Sequence, residues 1–122
     1  MPKVLFVDGP AKGHPMDLDR TPIMLRVTLG LDGVDALDQL TDTPTKDESV
    51  FVYMQVKGSE TTAFVDWADK GGRRRGTVLR IIEYRLSPVQ PKREVRDADT
   101  WLAWCGENQT ELLSAFEAGV SA

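Results

Sequence analysis

The chain has one cysteine, Cys105, and one histidine, His14. A single cysteine allows no intrachain disulfide, which excludes a disulfide-stapled scaffold. One histidine and one cysteine are also too few soft donors for a structural zinc site, which holds several together, so no metal and no cofactor is expected. Aromatic residues are sparse, at 7%. Long apolar runs are missing as well. The opening Val4-Leu5-Phe6-Val7 stops at Asp8, too short for a signal-peptide core or a membrane span. A cytoplasmic protein with no membrane partner is the expectation. Bases are absent from residues 97–122, which hold five acids.

What is present is ordinary in bulk and uneven in placement. The 122 residues are 41% hydrophobic and 28% charged, values of a globular chain. That length suits one domain over 1–122. About two-thirds of the unfolded surface can be buried at this size, so a deep substrate cavity would take up much of the core. Length therefore favours a binding surface over an enzyme pocket. The net charge of −4 hides a segregation. Residues 70–96 carry nine bases and two acids (+7), residues 1–69 six bases and twelve acids (−6), and residues 97–122 stand at −5. Such a band is either a footprint for an anionic partner or is neutralised by the acidic ends folding against it.

Periodicity predicts a sheet over about 3–87 and a helical segment over about 97–119. Residues 3–7 read as a strand closed by the turn residues Asp8-Gly9-Pro10 and Gly13. In residues 23–29, Ile23, Leu25, Val27 and Leu29 alternate with Met24, Arg26 and Thr28, the period of a half-buried strand. Residues 30–48 are rich in Asp, Thr and Gly and read as an exposed excursion with a weak helical rhythm at 34–40. Val50, Val52, Met54 and Val56 line one face of a strand. Gly58-Ser59-Glu60 would turn it back into residues 61–67 as a hairpin. Residues 70–76 form a basic, glycine-rich loop before the longest β-type run, 77–86. Pro88 and Pro91 end the sheet. Asp97 or Asp99 can cap a helix carrying Trp101, Trp104 and Cys105, stopped by Gly106. Asn108 and Glu111 stand in the capping-box relation for a second helix, whose Leu112, Leu113, Phe116 and Val120 form an apolar stripe. The expected fold is α+β: an antiparallel sheet of four to five strands covered by one or two C-terminal helices through Trp101, Trp104, Leu113 and Phe116.

No catalytic constellation emerges, and the chain is not expected to be an enzyme. Gly9-Pro10-Ala11-Lys12-Gly13-His14 lacks the Lys-Ser/Thr that a phosphate-binding loop needs at the start of a helix. It reads as a tight turn. Cys105 beside Trp104 reads as a small buried hydrophobe. Trp101 and Trp104 share a helix face and read as core. The strongest binding candidate is Arg73-Arg74-Arg75, flanked by glycines and extended by Arg80, Arg85, Tyr84 and Trp67. Arginine forks suit phosphates and carboxylates, so nucleic acid is an alternative partner, although the acidic remainder opposes it. A free sheet edge, at residues 50–56 or 77–86, is the expected route to a homo-oligomer.

Phe6-Val7-Asp8-Gly9-Pro10-x-x-Gly13, with the later Tyr84-Arg85-Leu86 and a Trp-containing helix, resembles small accessory, non-structural proteins of phages that infect actinobacteria, mycobacteriophages among them. The resemblance covers the first 13 residues and residues 78–105, and its motifs are turns rather than active sites. It implies a protein made in the host cytoplasm that binds a host protein and is toxic to the host or alters its physiology. It carries over no functional residues.

Overall fold

The computed structural model describes residues 2–18, 20–30, 33–37, 49–92 and 95–119. Their elements are strands β1 (Lys3–Phe6), β2 (Met16–Asp17), β3 (Met24–Gly30), β4 (Gly33–Leu37), β5 (Ser49–Gln55), β6 (Thr61–Ala68) and β7 (Arg74–Leu86), then helices α1 (Ala98–Glu107) and α2 (Gln109–Ala118). The domain is α+β, with all strands in one sheet of order β2-β1-β7-β5-β3-β4 and β6 added along β7. Two expectations change. Among the described residues there are seven strands, not four or five. The sheet is mixed, because β1 runs parallel to β7, pairing Lys3 with Ile81 through Phe6 with Tyr84. Pairing direction follows from how the whole chain returns, which local alternation does not encode.

Phe6 of β1 and Ala36 of β4 belong to one core cluster although three strands lie between them, so the sheet curls. Its concave side encloses Val4, Phe6, Leu25, Val27, Tyr53, Ile82 and Tyr84. Its other side packs Val52 and Met54 against Val95, Trp101, Trp104 and Leu112 of the helical segment. The central strand β5 is thus buried on both faces, between β3 and β7. Residues 50–56 are therefore no free edge. Likewise Arg26 and Thr28 of β3 are as buried as Leu25 and Val27, so β3 is not half-buried as its alternation suggests. The Arg26 guanidinium donates to the carbonyls of Val95 (3.2 Å) and Arg96 (2.7 Å) and lies over the Trp101 ring. It ties the start of the helical layer to the sheet.

Residues 33–37 form a strand paired to β3, where a helical rhythm was expected; residues 31–32 and 38–48, the rest of that excursion, lie outside the described residues. Gly58-Ser59-Glu60 makes no hairpin. β5 and β6 do not pair with each other; they follow one another along the same side of β7, separated by a bulge in which Val56 N–H donates to Glu83 O (2.9 Å) and Glu83 N–H to Ser59 Oγ (3.1 Å). The hairpin is β6–β7 instead.

At the C-terminal end Asp97 caps α1, its carboxylate accepting from Thr100 N–H at 2.7 Å. That bond holds the Asp97 carboxyl below the usual carboxylate range. Gly106 lies inside α1, and the chain passes through Asn108 directly into α2. The capping box does not form, since the Asn108 amide donates back to Trp104 O instead. Trp101 and Trp104 stack 5.6 Å apart within the core. Leu112, not Leu113, is the buried α2 leucine, while Leu113 is exposed. Val120 lies outside the described residues. Among the described residues no helix is long and apolar enough to cross a membrane.

Candidate functional site

The β6–β7 hairpin leaves the body of the sheet. β7 pairs with β1 only from Ile81 to Tyr84 and with β5 only from Tyr84 to Leu86. From Arg74 to Arg80, among the described residues, its one partner is β6, and β6 has no other neighbour. The result is a two-stranded ribbon, unpaired along both outer edges, that contributes no residue between Thr61 and Ile81 to either core cluster. An isolated two-stranded hairpin is marginal in water, and this one is held by four local devices.

The first device is the tip. Asp69 Oδ1 accepts from the N–H groups of Gly71 and Arg73, both at 2.9 Å, and Asp69 N–H donates to Arg73 O at 2.8 Å. Gly72 supplies the left-handed residue this closure needs, at φ 77°. Two ion pairs come next. Arg75 Nε meets Asp69 Oδ2 at 3.2 Å, and Arg74 pairs with Asp66. At the base Arg80 Nε donates to Glu60 at 2.7 Å. The last device is a ring over a gap. Phe64 lies across Gly76 so closely that a Cβ there would sit 2.3 Å from Phe64 Cζ. An aromatic laid across a strand glycine covers backbone that would otherwise be bare.

The register sorts the side chains. One face carries Phe64 opposite Val78, with Asp66, Arg74 and Arg80. The other carries Trp67 opposite Arg75, Val65 opposite Thr77, and Ala63 opposite Leu79. Phe64 is 70% exposed, Val78 62% and Trp67 46%. Exposed aromatics flanked by arginine are the composition of an interface hot spot.

The expected site residues separate accordingly. Arg73, Arg74, Arg75, Arg80 and Trp67 come together on the ribbon, but three of the arginines are matched to Asp66, Asp69 and Glu60 of the same hairpin. The counter-charges of these three arginines thus come from their own hairpin. Among the described residues, the side chains of Lys70 and Arg73 at the tip form no ion pair. Tyr84 does not belong to the patch. It is fully buried, its hydroxyl donates to Pro22 O, and desolvation raises its pKa well above the usual tyrosine value. Arg85 points to the helical side, where it donates to Ala115 O at 2.9 Å and holds α2 to the sheet. Residues missed in the sequence are Phe64, Val65 and Val78. The available signal was that Phe64, Val65 and Trp67 fall on both faces of one short strand, more apolar surface than one core takes.

Elsewhere the chemistry stays quiet. The Gly9-Pro10 segment is a tight turn: Lys12 N–H donates to Gly9 O and His14 N–H to Ala11 O, both at 3.1 Å. His14 is exposed. Cys105 packs on the helical-side core, and burial pushes its thiol up to about 11, away from the thiolate a nucleophile needs. Among the described residues no three His, Cys, Asp or Glu side chains converge as metal ligands. An open cavity of about 460 Å³ lies beside Trp104, Gln90, Lys92 and Glu111. A smaller apolar groove of about 170 Å³ runs between the helices and the start of β3. No protein-family model, curated protein or solved structure matches the chain.

Proposed function

We propose that this chain is a small interaction protein that docks on another protein through the β6–β7 ribbon. In the phage-type reading its target is a host protein, and binding alters or poisons host physiology. The observation that carries the reading is a stapled hairpin, outside both cores, whose largest side chains, Phe64 and Trp67, are left to solvent. Closing the hairpin with aspartate and glutamate partners for its arginines orders its backbone before it docks, which lowers the entropy lost on docking. The fitting partner has an apolar pocket for an aromatic ring and an acidic rim, since residues 60–81 carry five bases and three acids. Tagged protein incubated with nuclease-treated mycobacterial lysate should retain one protein in stoichiometric amount, and Phe64→Ser with Trp67→Ser should release it. Equal retention by the double variant would sink the ribbon as the docking element.

A second reading has its own observation. A two-stranded ribbon fits the DNA major groove, and the tip offers Lys70 and Arg73 without ion-pair partners among the described residues. In that case Arg73, Arg74 and Arg75 changed together to Ala weaken nucleic-acid binding and flatten its salt dependence. Loss of all retained material on nuclease treatment favours this reading over the first.

A further inference from the structure

We infer that the ribbon takes its protein partner as an added β-strand, an extended segment of the target paired through the main chain along the outer edge of β6. This deepens, and rests on, the reading of the ribbon as a protein-docking element. Hydrogen-bond parity fixes which backbone groups are available. On β7, Tyr84 O accepts from Val7 N–H on the β1 side, and Glu83 O accepts from Val56 N–H on the other. At the tip Asp69 N–H reaches Arg73 O. In the register that pairs Thr61 with Ile81, the odd-numbered residues of β6 and β7 therefore exchange the ladder bonds. The N–H and C=O groups of Thr62, Phe64, Asp66 and Ala68 point outward instead. Among the described residues no strand meets them. Such a row of donors and acceptors is complementary to the backbone of another extended chain.

The two edges of the ribbon are not equivalent. The outer edge of β7 carries Arg74, Arg75 and Arg80, and it is blocked at its base, where β1 begins opposite Ile81. Charge on an edge strand guards it against pairing. β6 has no such guard. Thr61–Ala68 holds no proline, glycine or lysine, and its one charge, Asp66, is paired with Arg74. An added strand meets exposed Phe64 on one face of the ribbon and exposed Val65 and Trp67 on the other. β-branched or aromatic residues in the incoming segment pair best with them. Near the tip, Lys70 and Arg73 form no ion pair among the described residues, which favours an acidic end of the segment there. Antiparallel pairing is the more stable arrangement and runs the segment from tip to base, so its acidic residues come first.

Amide-resolved hydrogen exchange on the full chain tests this, with a short acetylated peptide that begins Asp-Asp and continues as alternating valine and threonine. In the free chain the amides of residues 62, 64, 66 and 68 should exchange without protection. Millimolar peptide should slow those four and leave the odd-numbered amides of β6 as they were. Thr62→Pro removes one outward N–H and no β6–β7 bond, the one position proline tolerates in a strand. Its odd-numbered amides should stay protected, while the peptide effect and the capture of protein from lysate both weaken. Peptide that leaves the four amides unprotected overturns strand addition. So does protection already present in the concentrated free chain, which would make a second copy the occupant. Capture that survives Thr62→Pro but is lost in Phe64→Ser with Trp67→Ser removes strand addition and keeps docking through side chains. The docking reading itself falls when that double variant leaves capture unaltered.

Discussion

Gly9 and Tyr53 show how much one turn decides. Tyr53 is fully buried, yet its hydroxyl accepts from Ala11 N–H at 2.8 Å and donates to Asp8 O at 2.9 Å. The Asp8 carboxylate in turn accepts from Leu86 N–H at 2.5 Å. The turn thus closes one end of the concave core and stitches β1 to β7. Gly9 sits at φ +70°, and a Cβ there would lie 2.5 Å from the Tyr53 oxygen. Gly13, at φ +86°, has nothing within 4 Å of such a Cβ. Gly9→Ala should therefore lose more stability than Gly13→Ala: both incur left-handed strain of about 1–3 kcal/mol, and only the first also displaces a buried hydroxyl. Urea denaturation of the two variants checks this, and equal midpoints would remove the Tyr53 contact as a cause. The turn itself was legible in Asp8-Gly9-Pro10, because glycine and proline punctuate locally. The burial of Tyr84 was not. Val78, Arg80, Ile82 and Tyr84 alternate along one strand and share a face, but that face meets solvent at Val78 and Arg80 and the core at Ile82 and Tyr84. Period-2 alternation assigns faces, and it does not say where along a strand the covering layer ends.

At the scale of elements, β7 is one strand doing two jobs. Its last six residues, Ile81 to Leu86, lie between β1 and the β5–β6 side, and its first seven belong to the ribbon. The sequence shows a long β-type run but not its division, since the division depends on where β1 begins, more than 70 residues earlier in the chain. The expected 50–67 hairpin failed for a related reason. Gly58-Ser59-Glu60 has turn composition, and a bulge that lets one edge continue along β7 needs the same residues. Because neither core cluster draws on Thr61 to Ile81, the ribbon is separable. Excising residues 64–78 and joining Ala63 to Leu79 through Asn-Gly should leave the melting temperature within about 5 °C, as expected where no buried contact is lost. Partner capture should disappear. Hydrogen exchange on the intact chain should show ribbon amides opening well before those of β3 and β5, which are covered on both sides. Collapse of the core in the shortened chain would mean that the ribbon is structural.

Across the whole molecule, the buried hydroxyls and thiol set how stability responds to pH. Tyr53, Tyr84 and Cys105 are all raised by desolvation, Tyr84 most strongly and Cys105 to about 11. Each is held neutral by the fold, so each binds its proton more tightly folded than unfolded. In the unfolded chain the thiol gives up its proton near 9 and the phenols near 10. Below those values folded and unfolded chains are equally protonated at these groups, and their contribution to stability is complete. Above pH 9 the unfolded chain loses protons that the folded chain keeps, and stability falls as pH rises through the folded values. The surface ion pairs add little to this response, since they are exposed and screened. Urea midpoints should thus be level through neutral pH and decline steeply above about 9–10. Tyr84→Phe separates the causes. It should lower the midpoint at pH 7, because the hydrogen bond to Pro22 O is lost, and make the alkaline decline shallower, because the most strongly shifted group is gone. A decline of unchanged steepness in that variant would place the alkaline sensitivity on Tyr53 and Cys105 instead.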